Sequence, residues 1–222
     1  MAHRVLLIND DAFELTTLAE AMRLHGVNVI GEAHTVGAAR NLFRTLKPEV
    51  VVIDAQFDSY GGINLAIQMR REEANLGIVL TTACPDFRLL GLFEKDIPAG
   101  SQVVLKRTLS DLNVLCLAVP ESVGAIASNE KMQWVNRFTS PNEKSFLAMA
   151  SMLTDIQAET LRLVASGMSN GEIGRQRFVS EKSVEQIVAR IASQLGIAPD
   201  RGHNLRVLMT NEYNKWIGSP RH

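Results

Sequence analysis

Short apolar runs separated by longer amphipathic stretches occupy the first half of the chain. The runs at 4–8, 27–31, 49–53, 77–81 and 102–105 are rich in Val, Ile and Leu and short enough to be strands buried on both faces. Between them, Leu15, Leu18 and Met22 recur at helical spacing ahead of Gly26, a suitable C-cap. Ala39, Leu42, Phe43 and Leu46 repeat the pattern before Pro48. This alternation predicts βα units feeding a parallel sheet, a doubly wound (βα)5 arrangement over residues 1–119. Pro120 is expected to stop the fifth helix. A less regular stretch with Gly124, Ser128, Asn129, Ser140 and Pro141 then reads as a linker over 120–152. Within it, Ser140-Pro141-Asn142-Glu143 has capping-box spacing with proline at the first helical position, which predicts a helix running toward Met152.

From residue 153 the pattern changes to closely spaced helices. Thr154 with Gln157, and Ser169 with Glu172, are capping boxes, and Gly167 between them is a natural C-cap. Helices are predicted at 155–166, 170–176, 181–195 and 202–216, giving an all-α second domain over 153–222. A length of 222 residues suits two domains. Hydrophobic content of 46% with 21% charged residues excludes a disordered or fibrous chain. No apolar stretch approaches the roughly 20 residues that cross a bilayer, so a protein of the cytoplasm with no membrane contact is expected. Cys84 and Cys116 form no CxxC motif and the five histidines no ligand cluster, which argues against a zinc site. Residues 1–119 carry 11 Lys and Arg against 14 Asp and Glu, whereas 153–222 carry 9 against 7. That basic excess is too small to establish nucleic-acid binding, so motif and geometry must decide it.

Ligand sites of doubly wound sheets lie outside the carboxyl ends of the strands. In this chain Asp10 and Asp11 follow the first predicted strand, Asp54 the third, Thr82 the fourth and Lys106 the fifth. Three converging carboxylates repel one another, and a hard divalent cation such as Mg²⁺ relieves that repulsion. A carboxylate can also accept a phosphoryl group. On that reading Asp54 is the nucleophile, and Lys106 and Thr82 hold the outer phosphoryl oxygens. With these five positions filled, residues 3–118 resemble the receiver domain of a bacterial two-component response regulator, a flavodoxin-like fold. The resemblance implies metal binding by Asp10, Asp11, Asp54 and the backbone carbonyl of Gln56, and phosphorylation of Asp54 by a sensor histidine kinase. Three positions depart from the receiver pattern. Asp58 replaces a common proline, Arg107 follows the lysine, and Val103 stands in place of the switch aromatic, which makes a weaker or different response to phosphorylation an open expectation.

In the second domain, Leu153-Thr154, Gly167, Ser169-Asn170, Glu172-Ile173, Ser180, Val184 and Leu195-Gly196 resemble the LuxR-type helix-turn-helix. Together the two halves resemble a response regulator of the NarL/FixJ type. By that resemblance 170–176 is the supporting helix, Phe178-Val179 the turn and 181–195 the recognition helix in the major groove. Val184, Val188, Ile191 and Leu195 then face the core, leaving Lys182, Ser183, Glu185, Gln186, Ala189 and Arg190 outward. The candidate DNA-binding set is Asn170, Arg175, Arg177, Ser180, Lys182, Ser183, Glu185, Gln186 and Arg190. Gln186 suits adenine, Glu185 suits cytosine N4, and the arginines suit phosphates. Glu185, Ile187 and Gln194 stand where the family usually has lysine, histidine and lysine, so the surface is less basic than the family's. The expected partners are a kinase, double-stranded promoter DNA and a second copy of the chain in a homodimer.

The leading expectation is a phosphorylation-controlled transcription regulator rather than an enzyme. Its rivals are a regulator that binds DNA without phosphorylation, an interaction module that no longer binds DNA, and a metal-dependent phosphatase. Aspartyl-phosphate phosphatases carry a second aspartate two positions after the nucleophile, where this chain has Gln56.

Overall fold

The computed structural model describes residues 2–106, 109, 111–128, 130–135, 148–197 and 202–217. The chain packs as two compact units, one comprising residues 1–82 and 94–137, the other 83–93 and 138–222.

In the first unit the apolar runs become strands β1 (Arg4–Ile8), β2 (Asn28–Ala33), β3 (Val50–Asp54), β4 (Gly77–Thr82) and β5 (Gln102–Leu105). Helices α1 (Ala12–Leu24), α2 (Val36–Leu46), α4 (Gly62–Glu72) and α5 (Leu112–Ala127) cover the sheet, with one turn of helix, α3 (Phe57–Tyr60), just before α4. The described strands are all parallel, in the order β2-β1-β3-β4-β5-β6, where β6 is Gln133–Val135. On one face Leu15, Leu18, Ala19 and Met22 of α1 and Val114, Leu115, Ala118 and Val119 of α5 pack on Val5, Leu7, Val50, Val52, Val79 and Val104. The strand order reverses between β1 and β3, so the crevice beyond the ends of those strands is the switch point where such sheets bind ligands.

Three features of the sheet and its connections differ from the sequence expectation. First, Pro120 does not end α5, which continues to Ala127. Proline removes one helical hydrogen bond, but Ser122 and Ala125 beyond it are buried, and that burial carries the helix on. Second, the region read as linker supplies a sixth strand, β6 (Gln133–Val135), paired with β5 at Gln102↔Gln133, Val103↔Trp134 and Val104↔Val135. Trp134 donates its indole N–H to Glu94 at 3.0 Å. Third, the described residues between β4 and β5 form two 3-10 turns, Phe87–Leu90 and Glu94–Asp96, and no α-helix.

The second unit contains α6 (residues 148–152), α7 (Asp155–Ala165), α8 (Asn170–Arg177), α9 (Glu181–Gln194) and α10 (Leu205–Ile217). The start of the helix predicted from Ser140 lies outside the described residues, as does Arg107. Both capping boxes are formed, with Thr154 and Gln157 exchanging bonds at the head of α7 and Ser169 and Glu172 at the head of α8. The Ser169 N–H and hydroxyl both donate to Glu172, and these bonds hold its carboxyl below its ordinary pKa. Gly167 takes the left-handed conformation expected of a cap, with φ of +87°.

The core of this unit joins Leu161 and Val164 of α7, Ile173 of α8, Val184, Val188 and Ile191 of α9, and Met209, Tyr213 and Ile217 of α10. Cys84 and Leu89 complete it, although both come from the segment that leaves β4. Arg88 of that segment donates to the carbonyls of Ala150 and Leu153 at 2.8 and 2.9 Å and pairs with Asp86 and Asp155. The buried Tyr213 hydroxyl donates to the Leu89 carbonyl at 2.6 Å.

Candidate functional site

The end of β3 carries Asp54, whose side chain is 1% exposed. Its Oδ1 accepts the Gln56 N–H at 3.0 Å and its Oδ2 lies 2.7 Å from Lys106 Nζ at the end of β5. The Lys106 side chain is only 14% exposed, so the pair lies where water screens it weakly. Parallel register sets this convergence, because β1, β3, β4 and β5 are adjacent and end on one side, with Ile8↔Ile53, Asp54↔Thr81 and Thr82↔Leu105.

The turn after β3 is built around a close approach. A Cβ on Gly62 would lie 2.0 Å from the Asp54 carbonyl oxygen, so only glycine lets α4 begin against that backbone. Asp58 has φ of +50° and donates its N–H to Asp10 Oδ2 at 3.3 Å. Proline, common in receivers at this position, could adopt neither the angle nor the bond. Asp11 opens α1, its Oδ1 accepting the Glu14 N–H at 2.8 Å, while Asn9 Oδ1 accepts the Asp11 N–H at 2.9 Å. Thr82 is fully buried at the end of β4, and Val103 is fully buried on β5.

Of the sequence-predicted residues, Asp54 and Lys106 are in direct contact, and Asp10 reaches the backbone of the same turn. Asp10, Asp11 and Asp54 do not close into a three-carboxylate cage. Among the described residues no group of three His, Cys, Asp or Glu side chains could hold a metal ion. Mg²⁺ needs only one or two carboxylates with retained waters, so the oxygen donors here still suit it. The residue that sequence reasoning missed is Glu14, whose Oε1 and Oε2 lie 2.7 and 2.9 Å from Lys106 Nζ. Its position in the first turn of a helix opening at the pocket was the available signal.

On the second unit, Val184, Val188 and Ile191 are buried and Leu195 partly so. Lys182, Glu185, Gln186, Ala189 and Arg190 of α9 are exposed, with Ser183 half-buried. Arg175 is exposed on α8. Four of the predicted contacts are engaged within the unit. Asn170 Oδ1 accepts from Arg206 at 2.6 Å, and Ser180 caps α9 by accepting the Ser183 N–H at 3.1 Å while the two hydroxyls meet at 2.8 Å. Arg177 turns back onto α7, bonding the Thr160 hydroxyl at 2.6 Å and pairing with Glu159, its side chain 13% exposed. Phe178, at φ of +56° in the turn before α9, is 96% exposed.

Residues 5–90 match the response regulator receiver domain, and residues 151–201 match the bacterial regulatory proteins of the luxR family. The chain is a response regulator of the NarL/FixJ type. It is 28% identical over 199 residues to the transcriptional regulatory protein LiaR of Bacillus subtilis, covering 88% of this chain and 92% of LiaR. It is 20% identical over 190 residues to the DNA-binding transcriptional activator EvgA of Escherichia coli, covering 86% and 90%. Among solved structures it is similar in fold to the response regulator RcsB in complex with DNA, with a TM-score of 0.54 at 23% identity over 97% of this chain and 99% of that one. A structure of two RcsB dimers bound to two parallel DNAs gives 0.56 at 22%, with the same coverage. This response regulator thus carries a receiver sheet and a LuxR-type DNA-binding domain and is a regulator of transcription. None of its described helices is long and apolar enough to cross a membrane.

Proposed function

We propose that phosphorylation of Asp54 by a sensor histidine kinase controls the binding of this regulator to promoter DNA in the cytoplasm. The observation that carries the proposal is the buried Asp54 carboxylate 2.7 Å from the Lys106 ammonium at the switch point of the sheet. A carboxylate held there is a ready phosphoryl acceptor, and the lysine offsets the charge that transfer adds. Asp10, Asp11, Asp54 and the Gln56 carbonyl would hold Mg²⁺, which supplies further charge neutralisation when bound. Thr82, at the end of the neighbouring strand, is assigned to a phosphoryl oxygen. RcsB occurs as dimers on DNA, and a homodimer of this chain is proposed to present two recognition helices to paired half-sites.

On DNA, exposed Gln186 and Glu185 are assigned to base edges and Arg175, Lys182 and Arg190 to phosphates. Asn170, Arg177, Ser180 and Ser183 act one step back, by bracing α8 and α9 through the bonds described above. Val103 favours a second reading, in which DNA binding is independent of phosphorylation, because a fully buried valine has no aromatic ring to reposition.

The test combines intact-mass measurement of the full chain, treated with acetyl phosphate and Mg²⁺, with selection of bound fragments from sheared genomic DNA. A gain of one phosphoryl group that is lost in Asp54→Asn, with paired half-sites enriched only in the phosphorylated arm, is the expected result. Equal enrichment in both arms would establish the second reading.

A further inference from the structure

Lys106 is shared between two carboxylates. Its Nζ lies 2.7 Å from Asp54 Oδ2 and 2.7 and 2.9 Å from the two oxygens of Glu14. The Lys106 and Glu14 side chains are 14% and 22% exposed, so their attraction is screened far less than that of a surface pair. Glu14 is fixed in place by its own helix. Its N–H donates to the capping carboxylate of Asp11, which puts its side chain in the first turn of α1, facing the end of β5. An acidic residue in a first turn favours the helix dipole wherever its side chain points. That effect does not account for both oxygens being turned onto the one lysine of the pocket.

We propose that Glu14 is a positioning residue that competes with the phosphoryl group for Lys106 and so sets how readily Asp54 is phosphorylated. The proposal rests on the reading of Asp54 as phosphoacceptor. In the transfer an Asp54 carboxylate oxygen attacks phosphorus and a new O–P bond forms. The bond from phosphorus to the donor breaks, and its electron pair leaves with the donor group, which takes up a proton where its basicity requires one. A carboxylate of charge −1 thereby becomes an acyl phosphate of charge −2, and the added negative charge develops beside Lys106. With Glu14 ionised, the phosphoryl oxygens either share the ammonium with a carboxylate or draw it away. Both options disfavour the phosphorylated form, and a neutral side chain at position 14 removes both.

The experiment is an acetyl phosphate titration of the full chain with Mg²⁺, read as phosphorylated fraction by intact mass, with melting temperatures measured alongside. Glu14→Gln is expected to lower the half-saturating donor concentration by about tenfold, the size of effect that one nearby charge has on an ionisation equilibrium. Glu14→Ser, a second neutral replacement, is expected to follow it. Glu14→Asp keeps a carboxylate on the same turn and is expected to return the titration toward that of the unaltered chain. Rescue of that kind distinguishes charge from a merely structural role. Coincident titrations for the unaltered chain and both neutral variants, with the mass gain still lost in Asp54→Asn, would overturn the role of Glu14 and leave the phosphoacceptor reading standing. A Glu14→Asp titration that coincides with Glu14→Gln would also overturn it. No mass gain in any variant would overturn both.

Discussion

Arg177 and Arg190 are both basic residues of the helix-turn-helix, yet their surroundings give them different work. Arg190 is exposed on α9, while Arg177 is spent on α7 through Thr160, Glu159 and the Ile156 carbonyl. Arg177→Ala removes these bonds and leaves the buried Thr160 hydroxyl with one partner fewer. The expected cost is about 1–2 kcal/mol of stability, with the salt dependence of DNA affinity unchanged. Arg190→Ala is expected to leave the melting temperature alone and reduce the slope of log K against log salt by about one. Thermal melts and salt titrations on one DNA fragment check both. The difference was invisible in the sequence, where both positions read as candidate phosphate contacts, because the acceptor that captures Arg177 is 17 residues away. The pocket residues were more legible. Strand ends are fixed by local apolar runs, so Asp54 and Lys106 could be placed together before any contact was seen. Glu14 escaped notice because its partner lies 92 residues away.

At the scale of elements, the sequence revealed what local chemistry decides. Strands β1 and β5 have the expected bounds, and both capping boxes formed at the heads of α7 and α8. What stayed hidden depended on packing: α5 continues through Pro120, and β6 has only three residues, too few to show an alternating pattern. The segment after β4 is the clearest case. Arg88 there serves two carbonyls and two carboxylates of the second unit while its side chain is only 25% exposed. Asp86 is the main cause of its raised pKa, acting against the desolvation that lowers it, so the guanidinium remains charged in place. Arg88→Ala would leave the Asp86 carboxylate, itself 10% exposed, without its main partner. The expected loss is about 2–4 kcal/mol, seen as a lower midpoint in urea for the second unit. Asp155→Ala, which removes the most exposed member of the cluster, is expected to cost well under half of that.

For the molecule as a whole, the division into units does not follow the order of the chain. Residues 83–90 end the stretch that matches the receiver family, yet the segment 83–93 packs with 138–222. The second unit therefore cannot be released intact by one cut in the linker. A fragment covering 138–222 keeps α6 to α10 but loses Leu89 and Cys84 from its core and the Arg88 bonds to α6 and its end. It also lacks the Leu89 carbonyl to which the buried Tyr213 hydroxyl donates in the full chain. Removing buried apolar side chains and deleting a buried hydrogen bond each cost on the order of 1–3 kcal/mol, a large share of what a small helical domain has to spare. The fragment is expected to melt well below the second transition of the full chain. A synthetic peptide of residues 83–93, added in excess, is expected to raise its melting temperature, because it binds only the folded form. A fragment as stable as the full-chain unit, and indifferent to the peptide, would mean that the segment from β4 rests on the helices without contributing to their stability.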